Sequence, residues 1–472
     1  MPLILPGNVA SATADAGFNV DNSCRFDGTS SCMEKDQGTA TDTDKFTMSF
    51  WIKKCSNGAY RNVMQGMGGG TDYTTCTFNS SDQMDFGNRQ GGHVGRLVTT
   101  RVFRDPAAWY HFVCVWDSGN ATAGNRMRMY VNGVEETAFA TDTNPAEDET
   151  PATASGDKLH VGAHNGDGYF WDGYMAEVYF CDGQAYAASD FGEFDSDSPS
   201  MWKAKDASGL TFGTNGFYLD FEASGNLGND ANGGTDLTEV NVDAVDQCTD
   251  SPSNNFCVIN PLDNFHFQST YSEGNCKIVT GGSGRETFTT GTMPLTKGKW
   301  YYEMKISTAS NGDYAGWTSH VSNNYNDKLE DNSDKKSIAY RGAAGTFVVN
   351  AGVTSDGVDT YTDGDVIGLY IDLDNLEAYC SKNGTVQNSA TGITITAAAS
   401  NGSGYYLPGL GDEESNSLTA EVNFGNPVSA LSSAVADANG YGQFEYSPSG
   451  TFDSVSKDFL AICTKNLGSD GG

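Results

Sequence analysis

The segment Gly173-Tyr-Met-Ala-Glu-Val-Tyr-Phe-Cys-Asp-Gly-Gln-Ala-Tyr-Ala-Ala-Ser-Asp-Phe-Gly-Glu-Phe-Asp195 carries the clearest structural signal in the chain. Tyr174, Ala176, Val178 and Phe180 alternate with Met175, Glu177, Tyr179 and Cys181, the period-2 pattern of a β-strand. Both sets are largely apolar, which places the strand inside a sheet covered on two faces. Asp182-Gly183 breaks it, and Ser189-Asp190 opens a helical turn that carries Phe191 and Phe194.

Earlier segments repeat the pattern. Phe46, Met48, Phe50 and Ile52 alternate with Thr47, Ser49, Trp51 and Lys53 in a half-buried strand, and residues 96–103 give another. Trp109-Tyr-His-Phe-Val-Cys-Val-Trp-Asp117 is apolar on both faces and therefore central. Arg126-Met-Arg-Met-Tyr-Val131 runs into Asn132-Gly133, a strong two-residue hairpin signal. Gly213-Thr-Asn-Gly-Phe-Tyr-Leu-Asp-Phe221 is expected to return across the same sandwich.

These strands define a first domain over residues 13–222, preceded by an arm of residues 1–12 in which Pro2 and Pro6 bracket Leu3-Ile-Leu5. The arm reads equally as an edge strand or as an anchor for another subunit. Residues 223–255 are rich in Gly, Asn, Asp and Ser and thin in apolar residues, a linker composition. A second domain, 256–472, begins with the alternating run Lys299-Trp-Tyr-Tyr-Glu-Met-Lys-Ile306. It continues through Ala315-Gly-Trp317, a strand over 364–374, and its return through Asn383-Gly384. The expected fold is all-β: two antiparallel β-sandwiches in tandem with few short helices.

The composition agrees with that reading. At 472 residues the chain is too long for one core, and its 57 glycines imply many turns. A formal charge of −34 opposes nucleic acid and anionic membranes, and suits solubility in salty water. No apolar run approaches the ~20 residues that span a bilayer. The N-terminus has no basic region, so a cytosolic start with release by lysis is expected. Eleven cysteines, an odd number without C-x-x-C spacing, read as small buried hydrophobes.

The series FTMSFWIK, WYHFVCVW, MYVNG and GYMAEVYF resembles laminin-G/concanavalin-A-like lectin domains strand by strand. The order KWYYE, GWT, GDVIGLYIDLDN, AYCSKNG, YYLPGL and VNFG resembles SPRY domains across most of their length. The version GYMAEVYFCDGQAYAASDFGEFD is similar to that of marine tailed-bacteriophage virion proteins that join such a lectin-like domain to a SPRY-like one. The junction at Asp250–Phe256 and the closing segment from Gln443 to Leu467 resemble the same group.

Concanavalin-like sandwiches also house glucanases, whose Glu-x-Asp-x-x-Glu strand supplies acid and nucleophile. Here Glu193-Phe-Asp195 would need its third acid at Ser198, and Glu413-Glu414 has no matching spacing. Gly281-Gly-Ser-Gly284 is followed by Arg285 and completes no nucleophile elbow. Gly66-Met-Gly-Gly-Gly70 lacks the Lys of a phosphate loop. His160 and His164, four apart on an expected strand, make half a zinc site, and no metal site is assigned. The acidic loop Asp142-Thr-Asn-Pro-Ala-Glu-Asp-Glu149 could hold a structural calcium, weighed against a solvated loop; no other cofactor is expected.

Exposed rings beside polar groups suit sugars better. Asn165-Gly-Asp-Gly168 runs into Tyr169, Phe170, Trp171 and Asp172, the candidate glycan-binding residues, with capping of the core as the competing role. Tyr314 and Trp317 are weaker candidates, since Trp317 matches a SPRY position that packs inside. The resemblance implies a non-enzymatic virion structural protein, a surface knob, spike or decoration, assembled in the host cytoplasm. The alternative is a tail adhesin for a host surface glycan; a glycan hydrolase ranks below both. The expected partners are other virion proteins, through residues 1–12, and other copies of the chain. No heptad, collagen-like triplet or shaft repeat is present.

Overall fold

The computed structural model describes residues 17–471 apart from 155, 264–268, 282–286, 311, 322–327, 330–335, 351 and 413–416. The expected arm over 1–12, Glu413-Glu414 and most of the Gly281–Gly284 turn lie outside the described residues. The chain forms two compact units that divide between Ser253 and Asn254. It is nearly all-β, and the one α-helical stretch among the described residues is Thr464–Asn466.

In the first unit, two eight-stranded antiparallel sheets face each other. The organising strand, Asp172–Asp182, sits between Lys45–Lys54 on one side and Ser23–Asp27 on the other. Phe217–Leu219 continues that second edge by pairing Val178–Phe180. Trp109–Asp117, Met127–Val131 and Val134–Glu135 extend the sheet outward. The opposing sheet runs Phe139–Thr143, His93–Thr99, Met84–Arg89, Tyr73–Phe78, Arg61–Met67, Lys158–Val161, Cys32–Asp36 and Thr238–Val240. Phe46, Met48, Phe50 and Ile52 interlock with Met64, Cys76, Phe86 and Leu97 in the core between them. Asn132 and Gly133 take the left-handed conformations (φ 47° and 78°) that their hairpin requires.

Three expectations change. The Lys45–Lys54 strand is buried on both faces rather than one. Residues that follow the organising strand fold back over its outer face, where Trp51 packs on Ala176 and Ala204. The reading of 223–255 as a linker fails for a related reason. Leu227, Leu237 and Val242 enter the core, Thr238–Val240 pairs with Cys32–Asp36, and Gln247–Cys248 pairs with Ser23–Asp27. Asp250 then closes the unit: its carboxylate accepts from Lys53 Nζ at 2.7 Å and from Trp109 Nε1 at 3.0 Å. A segment thin in apolar residues is thus held by three of them and a buried ion pair. The helical turn shrinks to Ala188–Asp190, followed by a short strand, Gly192–Phe194.

The second unit is also a two-sheet antiparallel sandwich. Lys299–Thr308 lies between Val366–Asp372 and Thr419–Asn423, and Tyr314–Thr318 lies between Ser337–Arg341 and Leu407–Asp412. Trp300, Tyr302, Met304 and Ile306 meet Ala315, Trp317, Ile338 and Leu410 across the core. The closing segment covers the outer face of the first of these sheets, where Phe444, Phe452 and Phe459 pack on Tyr301, Tyr370 and Tyr379. All eleven cysteines are buried, with the thiols of Cys24 and Cys76 pushed up by desolvation.

Candidate functional site

Most large side chains of the first unit are buried, and two exposed rings meet on the outer side of its second sheet. Tyr60 is 46% and Tyr169 54% exposed, with ring centroids 5.5 Å apart. His164 stands edge-on to Tyr169 at 5.5 Å and to Tyr73 at 5.2 Å, and the Arg89 guanidinium lies over Tyr73 at 6.0 Å. The four rings form a ledge bordered by Arg96, which grips Asp85 with Nε and Nη2 at 3.0 and 2.6 Å. Those bonds raise the Arg96 pKa, and the fields of Tyr60 and Tyr73 add to the effect. Arg96 therefore stays charged beside the rings.

The loop that presents Tyr169 is bent by left-handed residues: Asn165 at φ 54°, Gly166 at 70° and Tyr169 at 46°. A tyrosine pays about 1–2 kcal/mol for that conformation, so the surroundings must impose it. They do so through main-chain anchors. Asn62 N–H donates to the Tyr169 carbonyl at 2.7 Å, Arg61 Nη1 to the Phe170 carbonyl at 3.0 Å, and His164 N–H to the Gly168 carbonyl at 2.7 Å. Below the loop, Gln65 Oε1 accepts from Asn165 N–H at 2.6 Å. Gln65 Nε2 and His160 Nδ1 are buried with no hydrogen-bond partner among the described residues. Burial lowers the pKa of both His160 and His164, so the histidines near the ledge are neutral at pH 7.

The four residues expected to bind glycan do not act as one cluster. Tyr169 is on the ledge. Phe170 is half-buried and serves through its carbonyl. Trp171 is fully buried in the core, 5.8 Å from the Phe78 ring, and offers no face to a ligand. Asp172 pairs with Arg61 at 3.3 Å as part of the loop's anchorage, and burial raises its pKa. The left-handed turn at Tyr169 sends neighbouring rings to opposite sides, which composition alone could not show. Likewise His160 and His164 do not share a strand, because the strand ends at Val161. Tyr60 and Tyr73 were not singled out in the sequence; each follows a Gly-containing turn at the start of a strand, the one available signal.

Catalytic alternatives fare worse. Glu193 and Asp195 both face Lys203, at 3.4 and 3.6 Å, so neither is a free acid or nucleophile. Ser49 Oγ lies 2.9 Å from His111 Nε2, but both residues are buried. In the acidic loop, Glu147 is paired with Arg126 at 3.0 Å. No group of three or more His, Cys, Asp or Glu among the described residues is arranged to hold a metal. In the second unit Tyr314 and Trp317 are buried. A cavity of about 250 Å³ there is lined by Glu303, Lys305, Glu421 and Tyr446. Its carboxylates already accept from Tyr301, Ser429 and backbone N–H groups, which leaves little to recognise a ligand.

Comparison with known proteins agrees with this architecture. Residues 27–188 match the laminin-G-type model described as the concanavalin A-like lectin/glucanases superfamily, and residues 299–403 match the SPRY domain model. No curated protein matches the chain. Among solved structures, the SPRY domain of human HERC1 is similar at 18% identity and a TM-score of 0.29, over 35% of this chain and 96% of that one. A heptameric SAP-like pentraxin from Limulus polyphemus is similar at 16% identity and a TM-score of 0.27, over 36% of this chain and 78% of that one. The chain thus carries a laminin-G/concanavalin-A-like domain and a SPRY domain in tandem. Both are binding-type folds, although the first description also covers glucanases.

Proposed function

We propose that this chain is a non-enzymatic binding protein of a phage particle surface, and that its first sandwich holds a carbohydrate on the Tyr60–Tyr169 ledge. The observation that carries the glycan reading is the pairing itself: two exposed tyrosines in contact, one of them in a loop held at positive φ by three hydrogen bonds to its carbonyls, two from backbone N–H groups and one from the Arg61 side chain. Rings preorganised in this way stack on the apolar face of a sugar without an ordering cost. Arg89 lies over Tyr73, Arg96 lies beside Tyr60 and Tyr73, and Asp167 lies beside His164, and they offer donors and acceptors to hydroxyl groups. The placement on a virion is supported by the resemblance of residues 173–195, 250–256 and 443–467 to marine tailed-phage proteins. A knob or decoration seated on another virion protein fits a chain without shaft repeats.

The ledge favours a second reading within the same frame, a tail adhesin that recognises a host surface glycan. Quantitative mass spectrometry of purified virions separates the two. Tens to hundreds of copies mean a head decoration, and a handful in multiples of three or six mean a tail adhesin. Absence from the particle removes the virion reading but leaves the glycan reading to be tested on a glycan array.

A further inference from the structure

The sandwich of the second unit carries two acidic side chains at one end of its core. Tyr314 pairs with Gly411 and Trp317 with Pro408, so Asp313 and Asp412 are the next couple across the two strands. Such neighbours stand roughly 5 Å apart at Cβ. Ala315, Trp317 and Leu410 face the core, and period-2 alternation puts Asp313 and Asp412 on that same inner side. Both are out of water, Asp313 at 1% and Asp412 at 0% exposure.

Their oxygens are poorly satisfied. Asp412 Oδ2 accepts from the Thr280 hydroxyl and from Leu418 N–H. Neither oxygen of Asp313, nor Oδ1 of Asp412, has a hydrogen-bond partner among the described residues. The N–H groups of Ser310 and of Asp313 itself lie near enough to ease the charge without completing a bond. Desolvation pushes Asp313 up to about 7 and Asp412 up to about 6, and the two carboxylates repel each other. The Tyr361 hydroxyl donates to the Asp313 carbonyl at 3.2 Å. Buried carboxylates without donors need a positive charge to balance them.

We propose that Asp313 and Asp412 bind a hard divalent cation of the calcium class, with both oxygens of Asp313 and Oδ1 of Asp412 as ligands. An all-oxygen set selects against zinc-type ions. Bidentate carboxylate coordination is a term calcium accepts and magnesium resists. With only three protein oxygens, affinity falls in the range of weak extracellular modules, Kd about 10⁻⁴–10⁻³ M.

The test uses the full chain stripped with EDTA and titrated with calcium chloride to 10 mM. The thermal midpoint of the wild type rises, and Asp313→Asn and Asp412→Asn each remove that rise. Asparagine keeps the shape and deletes a buried charge, so the calcium-free variants unfold no earlier than the wild type. A direct readout uses terbium, whose luminescence is sensitised by Tyr314 and Tyr361; the wild type gives a signal that Asp313→Asn reduces at least fivefold. A calcium shift that persists in both variants assigns binding to other acids of this charged chain and overturns the proposal. So does a wild type indifferent to calcium whose midpoint falls as pH rises past 7, since a shared proton then does the balancing.

Discussion

Trp202 donates its indole N–H to Nδ1 of His111 at 3.0 Å, and this bond decides what the buried ring can do. An indole nitrogen only donates, so the imidazole proton sits on Nε2 and points at Ser49 Oγ, 2.9 Å away. The ring is therefore a donor to Ser49 and cannot take its proton. Desolvation lowers the His111 pKa to about 3. Because the folded value lies below the unfolded one, its contribution is present above pH 6.5 and is lost as pH falls towards 3. The slope is about 1.4 kcal/mol per pH unit. Denaturant melts of wild type and His111→Gln between pH 4 and 6.5 should diverge by that slope; parallel curves would show a ring that titrates normally.

Glu177 gives the opposite sign. It sits in a bulge of the organising strand at φ 49°, buried, and accepts from the Tyr179 and Tyr218 hydroxyls. Burial pushes its carboxyl up to about 8, against the lowering effect of those two hydrogen bonds. A raised carboxyl keeps its proton in the fold, so stability is full below about pH 4.5 and falls as pH rises to 8. Glu177→Gln should lessen the decline between pH 5 and 8, by about 1 kcal/mol per unit. An unchanged decline would place the titration elsewhere.

Residues 223–253 are bound into the first unit by the Lys53–Asp250 pair, whose side chains are both fully buried. Lys53→Met leaves the Asp250 charge uncompensated and should cost about 3–5 kcal/mol. A loss below ~0.5 kcal/mol, as for a surface site, would restore the linker reading.

Trp171 and Tyr169 should separate by stability. Trp171→Ala opens a cavity in the core and should cost about 3–5 kcal/mol. Tyr169→Ala removes an exposed ring and should stay within ~0.5 kcal/mol of wild type. Equal losses would mean that the loop is part of the core.

The fold was legible because period-2 alternation and Asn-Gly turns are local signals. Phe46 to Lys53, Trp109 to Asp117 and Tyr174 to Cys181 all form strands, and the Asn132-Gly133 and Asn383-Gly384 turns close hairpins. What escaped depends on contacts distant in sequence. Leu227, Leu237 and Val242 are too sparse to mark a core segment, yet each fills a slot made by earlier strands. The ledge had the same difficulty: Tyr169 was in view, but its partner Tyr60 arrives from the turn that precedes a distant strand, and Trp171 turns inward.

The most direct test of the glycan ledge is the affinity of the best array ligand for wild type, Tyr169→Ala, Tyr60→Ala and a control, Tyr441→Ala, which removes an exposed ring of the second unit. Each ledge variant should lose about five- to tenfold, ~1–1.4 kcal/mol, with the thermal midpoint unchanged, while the control binds as wild type. Equal affinity in all four proteins would contradict the ledge as the carbohydrate site.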